Sequence, residues 1–241
     1  MTRNVLILGA NGRFGRHASG AFKQAGWSVR HFDRAGGDLR QDARDADVVV
    51  NGWNPPNYAT WHRELLAAHR RVIDALRDQN ATVIVPGNVY VFGEKTPGPW
   101  SERTPHGATN PLGRLRIEMD EAYCASGIRT IVLRGGDFLD TEASGNWFDR
   151  IIAKPLAKEH ISYPGQLDAP HAWAFLPDMA RAAVALAEKR AELPQFADVA
   201  FPGYTLTGRQ LAEVLSSSVG HKVVPRQMAW WPLTLLSPVW P

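Results

Sequence analysis

The run Gly9-Ala10-Asn11-Gly12-Arg13-Phe14-Gly15 follows the apolar stretch Val5-Leu6-Ile7-Leu8 without a break. A buried strand that ends in three spaced glycines must turn tightly and enter a helix. The first glycine allows the turn, the second lets backbone N–H groups approach a pyrophosphate, and the third brings helix close to strand. The helix N-terminus then faces the phosphate charge. From Phe14 onward Ala18, Ala21, Phe22 and Ala25 recur at helical spacing, and Gly26 supplies a stop. The spacing predicts a dinucleotide cradle made of Gly9, Asn11, Gly12, Arg13, Phe14 and Gly15.

A second predicted strand, Trp27 to Phe32, ends in Asp33, 21 residues after Gly12. Strand–helix–strand units of this kind place an acid there against the adenosine ribose. Asp33 would hydrogen-bond a ribose 2′-OH and repel a 2′-phosphate, whereas Arg34 and Arg13 would pair with that phosphate. The two signals conflict, so the cofactor is read as NAD(P), with NAD and NADP both open.

Apolar runs suited to buried parallel strands recur at Val5 to Leu8, Val29 to Phe32, Val48 to Val50, Val83 to Val85 and Ile131 to Leu133. Amphipathic stretches separate most of them. Over Trp61 to Arg77, Trp61, Leu65, Ala68, Val72 and Leu76 share one helical face. This alternation predicts an α/β fold with a doubly wound parallel sheet. From about Gly135 the rhythm loosens around Pro155, Pro164, Pro170 and Pro177. Two further helices follow, one capped by Asp178 and one opened by a Thr207/Gln210 capping box. The expected organisation is one domain over 1–241 with a small lobe drawn mainly from about 135–177 and 200–241.

The formal net charge is +3, with basic residues scattered among acids, so nucleic acid is not an expected partner. The single cysteine, Cys124, suits a reducing compartment, and the chain enters its first strand without a charged and apolar leader, so a cytoplasmic location is expected. No run approaches the ~20 apolar residues of a membrane span. The tail from Met228 to Pro241, rich in Trp230, Trp231, Leu233, Leu235, Leu236 and Trp240, is expected to pack on the body or to join a dimer contact. No His, Cys, Asp or Glu cluster has ligand spacing, so no metal is expected.

With Gly9 to Gly15, Asp33, Asp38-Leu39, Asn51-Gly52-Trp53 and Tyr90-Val91-Phe92-Gly93 in order, the chain resembles the extended short-chain dehydrogenase/reductase superfamily, nearest its epimerase/dehydratase branch. Glu102-Arg103-Thr104-Pro105 and the segment His171 to Ala180 extend the likeness. The resemblance implies a Rossmann-type fold in which Asp38 and Leu39 flank an adenine. It also implies that Asn51, Gly52 and Trp53 line the pyrophosphate and ribose, and that Gly135 to Phe138, Gly136 among them, border a nicotinamide. A homodimer is implied as well.

Redox members of that superfamily use a tyrosine hydroxyl, a lysine four residues on, and a serine or threonine. Aligned on Asn110-Pro111-Leu112-Gly113-Arg114-Leu115-Arg116, Leu112 stands at the tyrosine position and Arg116 at the lysine position; none of the five tyrosines begins a Tyr-x-x-x-Lys. Leucine cannot transfer a proton. Arginine keeps a fixed charge for the nicotinamide ribose without serving as a proton shuttle. The serine/threonine position falls on Asn88, an amide donor that can also touch cofactor. Tyr90, two residues on along an expected extended strand, would face the same side and replace the missing acid.

Asp137, Phe138 and His171, with Tyr90, are the substrate candidates. Trp53, Tyr90, Phe138, Trp147 and Trp173 are candidates for an apolar pocket. Two functions remain in view. One is an atypical NAD(P)-dependent oxidoreductase or epimerase/dehydratase-like enzyme acting on a small carbonyl or sugar-type substrate. The other is a non-catalytic NAD(P)-binding redox sensor or scaffold that has lost the chemistry.

Overall fold

The computed structural model describes residues 3–55 and 57–230. The chain divides into two compact units, 1–135 with 176–202, and 136–175 with 203–241.

The first unit opens with β1 (Asn4–Leu8), α1 (Arg13–Gln24), β2 (Ser28–His31), α2 (Leu39–Asp42) and β3 (Val48–Asn51). It continues through α3 (Trp61–Leu76), β4 (Thr82–Asn88), α4 (Pro111–Ser126) and β5 (Thr130–Gly135). Its sheet runs β2-β1-β3-β4-β5, closed at the far edge by a later strand, Phe196–Ala200, and every pairing is parallel. Four of the apolar runs named above lie within β1, β3, β4 and β5, continuous rather than alternating because both sheet faces are covered there. The run to Phe32 passes the end of β2, an edge strand that is largely exposed. Leu6, Leu8, Val49, Val83 and Val85 pack with Val72, Ile73 and Leu76 of α3 and Met119 and Tyr123 of α4. The alternate residues Val5, Ile7, Val48, Val50 and Ile84 are equally buried. Strand order reverses between β1 and β3, so the glycine turn sits at the switch point where ligands meet such sheets.

The second unit contributes β6 (Asp137–Leu139), β7 (His160–Tyr163) and β8 (His171–Phe175). The chain returns to the first unit for α5 (Leu176–Glu188) and β9 (Phe196–Ala200). It then completes the second with β10 (Tyr204–Leu206), α6 (Gly208–Val219) and β11 (Val224–Gln227). Here β10-β8-β6 form one small sheet and β11-β7 another, over a core of Ile152, Ile161, Tyr163, Trp173, Leu211 and Val223.

Two local expectations need correction. Asp178 is not an N-cap, because α5 begins at Leu176 and places it in the first turn, where it pairs with Arg181. The loop-rich stretch after Gly135 holds three short strands, too brief and too half-buried to give a periodic signal. The Thr207/Gln210 capping box is present on both sides. Of the tail, Met228 donates its N–H to the Tyr163 carbonyl and the Trp230 indole donates to the Pro164 carbonyl. Trp231 to Pro241 lie outside the described residues.

Candidate functional site

The glycine turn is close-packed backbone. Gly9 has φ +74°, a conformation costly for any residue with a side chain. A Cβ on Gly15 would stand 2.1 Å from the Gly9 carbonyl oxygen, so helix and strand meet at a distance that only glycine permits. A Cβ on Gly12 would meet only that same carbonyl, at 3.1 Å, which leaves its outer side open. Gly12 caps α1 without a side-chain acceptor, and no acid stands in the first turn. The orphan N–H groups of this helix end suit an anion, so the residues present fit a dinucleotide pyrophosphate. Arg13 is exposed and Phe14 is buried.

The loop after β3 crosses behind this turn. A Cβ on Gly52 would lie 2.8 Å from the Leu8 carbonyl oxygen, and one on Gly9 would lie 3.3 Å from Cδ1 of Trp53. Asn51 faces inward. Its amide donates to the Tyr123 hydroxyl at 2.9 Å and lies 3.1 Å from Nδ1 of His69, while its oxygen accepts the Trp53 N–H. Any contact of Asn51 with a ligand is therefore through backbone. Burial, with the Arg116 charge nearby, pushes the His69 pKa from 6.5 down to about 3, against an opposing pull from the Trp53 backbone. This imidazole is a neutral structural member. Burial likewise raises the Tyr123 hydroxyl.

Trp53 is a core residue, edge-on to Phe32 at 5.6 Å. The Asp38 carboxylate is spent capping α2 through the N–H groups of Arg40 and Gln41, and Leu39 is buried. Asp33 accepts the Ala35 N–H within its own turn. Arg34 lies over the Trp53 ring.

Beyond β4 the geometry differs from the expected one. The strand ends at Asn88, and Tyr90 sits on a single 3-10 turn, Val89–Val91, so strand alternation does not relate the two side chains. They are joined instead by a hydrogen bond from the Tyr90 N–H to Oδ1 of Asn88 at 3.1 Å. This spends the amide oxygen on the turn and leaves the amide N–H₂ as the donor. Tyr90 lines an open cavity of about 570 Å³ with Glu94, Trp100, Asn110 and Leu112, so Leu112 forms part of its wall.

The Tyr90 hydroxyl lies 3.1 Å from the hydroxyl of Tyr58, a residue the sequence reading passed over. Arg116 is buried with its guanidinium 4.4 Å from the Trp61 ring, and it donates to Oδ1 of Asn54 at 2.6 Å. Burial lowers its pKa to about 10, opposed by Asp120 and by the Tyr90 and Tyr58 hydroxyls. It stays a cation at neutral pH. Tyr58 follows Asn57, which caps its short turn, and a turn directly after a sheet's C-terminal loop was the available signal.

Beneath this surface Arg134 holds the site together. Fully buried, it donates to Asp120 at 2.9 Å, to Asp198 at 2.5 and 3.0 Å and to the Asn88 carbonyl at 2.8 Å. His106 adds a contact to Asp198 at 3.1 Å. Burial raises Asp198, but the hydrogen bonds from His106 and Arg134 outweigh it and the net shift is downward; Asp120 is raised by burial against the pull of Arg134. His106, Asp120 and Asp198 are near enough to share an ion, a convergence invisible in their spacing, yet the Arg134 guanidinium already supplies the positive charge there.

In the second unit Asp137 and His171, both substrate candidates, form a pair at 2.9 Å. His171 stacks on Trp173 at 4.4 Å, and the Tyr163 ring lies edge-on at 6.1 Å. A Cβ on Gly136 would meet the Ala172 carbonyl oxygen at 2.1 Å, so this glycine allows close strand packing, and Phe138 is half-buried on β6. Trp173 belongs to the core of this unit, Trp53 to that of the first, and Trp147 is exposed.

A model of the NAD dependent epimerase/dehydratase family matches residues 5–199. The chain belongs to that family. No curated protein matches it in sequence. Among solved structures this family member resembles a UDP-glucuronic acid 4-epimerase from Bacillus cereus in complex with UDP-glucuronic acid and NAD. The TM-score is 0.78 at 16% identity, over 93% of this chain and 86% of that one. It also resembles a UDP-glucose 4-epimerase from Brucella ovis in complex with NAD, at TM-score 0.75 and 17% identity over 95% and 86%. A third is an NAD-dependent NDP-hexosamine 5,6-dehydratase of tunicamycin biosynthesis, at TM-score 0.74 and 17% identity over 94% and 85%. At these identities the likeness is one of fold. Among the described residues no helix is long and apolar enough to cross a membrane.

Proposed function

We propose that this family member is an atypical NAD(P)-dependent oxidoreductase of epimerase/dehydratase type, acting on a small carbonyl or sugar-type substrate, with Tyr90 in place of the missing tyrosine as proton donor. The observation that carries the reading is the Tyr58–Tyr90 hydroxyl pair on a cavity whose wall includes Leu112. Nucleotide sugars bound in structural neighbours support the substrate class.

A nicotinamide held through the glycine turn would supply or accept the hydride. The chain's own residues divide the remaining work. Asn88 offers amide N–H groups to a substrate oxygen, and Tyr90 gives that oxygen a proton. Arg116, whose charge interacts with both phenols, favours the phenolate left behind. Tyr58, exposed at 46%, is placed to return a proton from solvent to Tyr90 through their shared hydrogen bond. The mechanism thus replaces a tyrosine–lysine pair on one helix with a tyrosine on one turn and an arginine on α4.

The test is turnover on a panel of nucleotide sugars and small carbonyl compounds, read by nicotinamide absorbance, for wild type and Tyr90→Phe. The expected loss is about 10²- to 10⁴-fold with dinucleotide binding retained. Unchanged turnover removes Tyr90 from the mechanism. Firm binding with no turnover on any compound favours the sensor or scaffold.

A further inference from the structure

The wall of the Tyr90 cavity carries an indole and a carboxylate, Trp100 and Glu94, that the proton transfer proposed above does not use. The cavity, about 570 Å³, falls in the size range of small-molecule sites. Both side chains come from the loop that follows the turn bearing Tyr90, and that loop is tied down at several points. Gly93 adopts φ +74°, and a Cβ there would stand 2.7 Å from Cα of Ala108. The Thr96 hydroxyl donates to the Phe92 carbonyl at 2.5 Å.

Trp100 is held in a fixed pose. Its ring stacks on the buried Phe92 with centroids 5.0 Å apart, and its indole N–H donates to the Thr96 carbonyl at 3.0 Å. With one face covered and its only donor engaged, what this exposed indole offers the cavity is apolar ring surface. Such a preset surface suits the C–H face of a sugar ring and costs little to order on binding.

Glu94 is the one charged side chain on the wall among the described residues, and no described residue pairs with it. Lys95, next along the chain, is not part of the wall. Arg116, behind Tyr90, is buried, with its guanidinium over the Trp61 ring and bonded to Asn54. Asn110 accepts the Gly113 N–H through Oδ1, so its amide N–H₂ remains as a neutral donor to the cavity. A carboxylate on the ligand would therefore meet a like charge here, with no cation on the wall to offset it. A ligand ammonium would gain a charge-assisted hydrogen bond.

We propose that this cavity selects a pyranose carrying a free amino group and disfavours a uronic acid, with Trp100 stacking on the ring and Glu94 pairing with the ammonium. The inference rests on the proposal that the cavity takes a sugar-type substrate, and it names the class within that reading.

Calorimetric titration of the full chain with UDP-glucosamine, UDP-glucose and UDP-glucuronic acid, at slightly acidic pH and low salt, reads the preference without needing turnover. UDP-glucosamine is expected to bind about tenfold or more tightly than UDP-glucuronic acid, with UDP-glucose between them. In Glu94→Gln the ratio is expected to fall to within about threefold. High salt is expected to shrink the wild-type ratio, an arm that does not depend on a variant folding. Trp100→Ala is expected to weaken all three about fivefold while keeping their order. UDP-glucuronic acid binding as tightly as UDP-glucosamine, or a ratio that Glu94→Gln leaves unchanged, overturns the inference whatever the Tyr90→Phe experiment shows. The expected ratios without turnover on any compound support the inference and overturn the enzymatic reading instead. Binding of none of the three overturns the inference together with the sugar-type substrate, and leaves Tyr90 to be tested on small carbonyl compounds.

Discussion

The glycine turn and the Tyr90 cavity sit in the same unit of the chain and are built in opposite ways. The turn is made of backbone from consecutive residues, its shape set by Gly9 and Gly15. The cavity region is made of side chains from Tyr58, Tyr90, Leu112 and Arg116, supplied by two short turns and one helix. A backbone device is written contiguously and tolerates almost no change in its own residues. A side-chain device draws on distant segments and can exchange its members, provided that something underneath fixes their spacing. That something is Arg134, which binds the Asn88 carbonyl from below, directly before the turn that carries Tyr90.

The contrast breaks most directly at Arg134. Replacing it with alanine leaves Asp120 and Asp198 without their cation and the Asn88 carbonyl without its donor, with an expected loss of about 3–5 kcal/mol in chemical denaturation. A loss below about 1 kcal/mol would mean that the cavity needs no such support. Gly15→Ala tests the backbone half. Its Cβ cannot coexist with the Gly9 carbonyl at 2.1 Å, so dinucleotide affinity is expected to fall about 100-fold or more, a loss of about 2.7 kcal/mol.

A pH experiment sharpens the boundary between the two regions, because His69 links the loop behind the turn to α4 through Asn51 and Tyr123. Its folded pKa lies near 3, below the unfolded 6.5, so between those values only the unfolded chain takes the proton. Stability then falls with acidification by up to roughly 1.4 kcal/mol per pH unit from this group. His69→Phe should lower stability at neutral pH and flatten that slope relative to wild type; parallel slopes would contradict a neutral buried imidazole. Asp198 acts at the acid end, since its depressed pKa contributes stability above the usual carboxylate range that is lost as pH falls through its folded value. The smallest effect is expected outside both regions. Thr207→Ala removes one side of the α6 capping box and should cost about 1 kcal/mol, a baseline for what one local hydrogen bond contributes.

The same contrast explains what was legible in the sequence. Strands β1, β3, β4 and β5, the turn and the face of α3 follow from local patterns, because each buries a continuous or periodic set of its own residues. Leu112 and Arg116 were singled out by aligning a motif, and Leu112 lines the cavity beside Tyr90. The Tyr58–Tyr90 pair, the Arg134 network and the Asp137–His171 pair were not legible as units, since each joins residues far apart along the chain. Asn51 shows the converse. The resemblance implied a ligand contact for it, while its side chain serves a buried network that no local pattern could reveal.

The central claim is that the contiguous backbone device holds a dinucleotide in this chain. Calorimetric titration of the wild-type chain with NADPH and NADH tests it most directly. The account predicts saturable binding with a Kd on the order of micromolar, about −8 kcal/mol, for at least one of them. A folded protein that binds neither at millimolar concentration would contradict it.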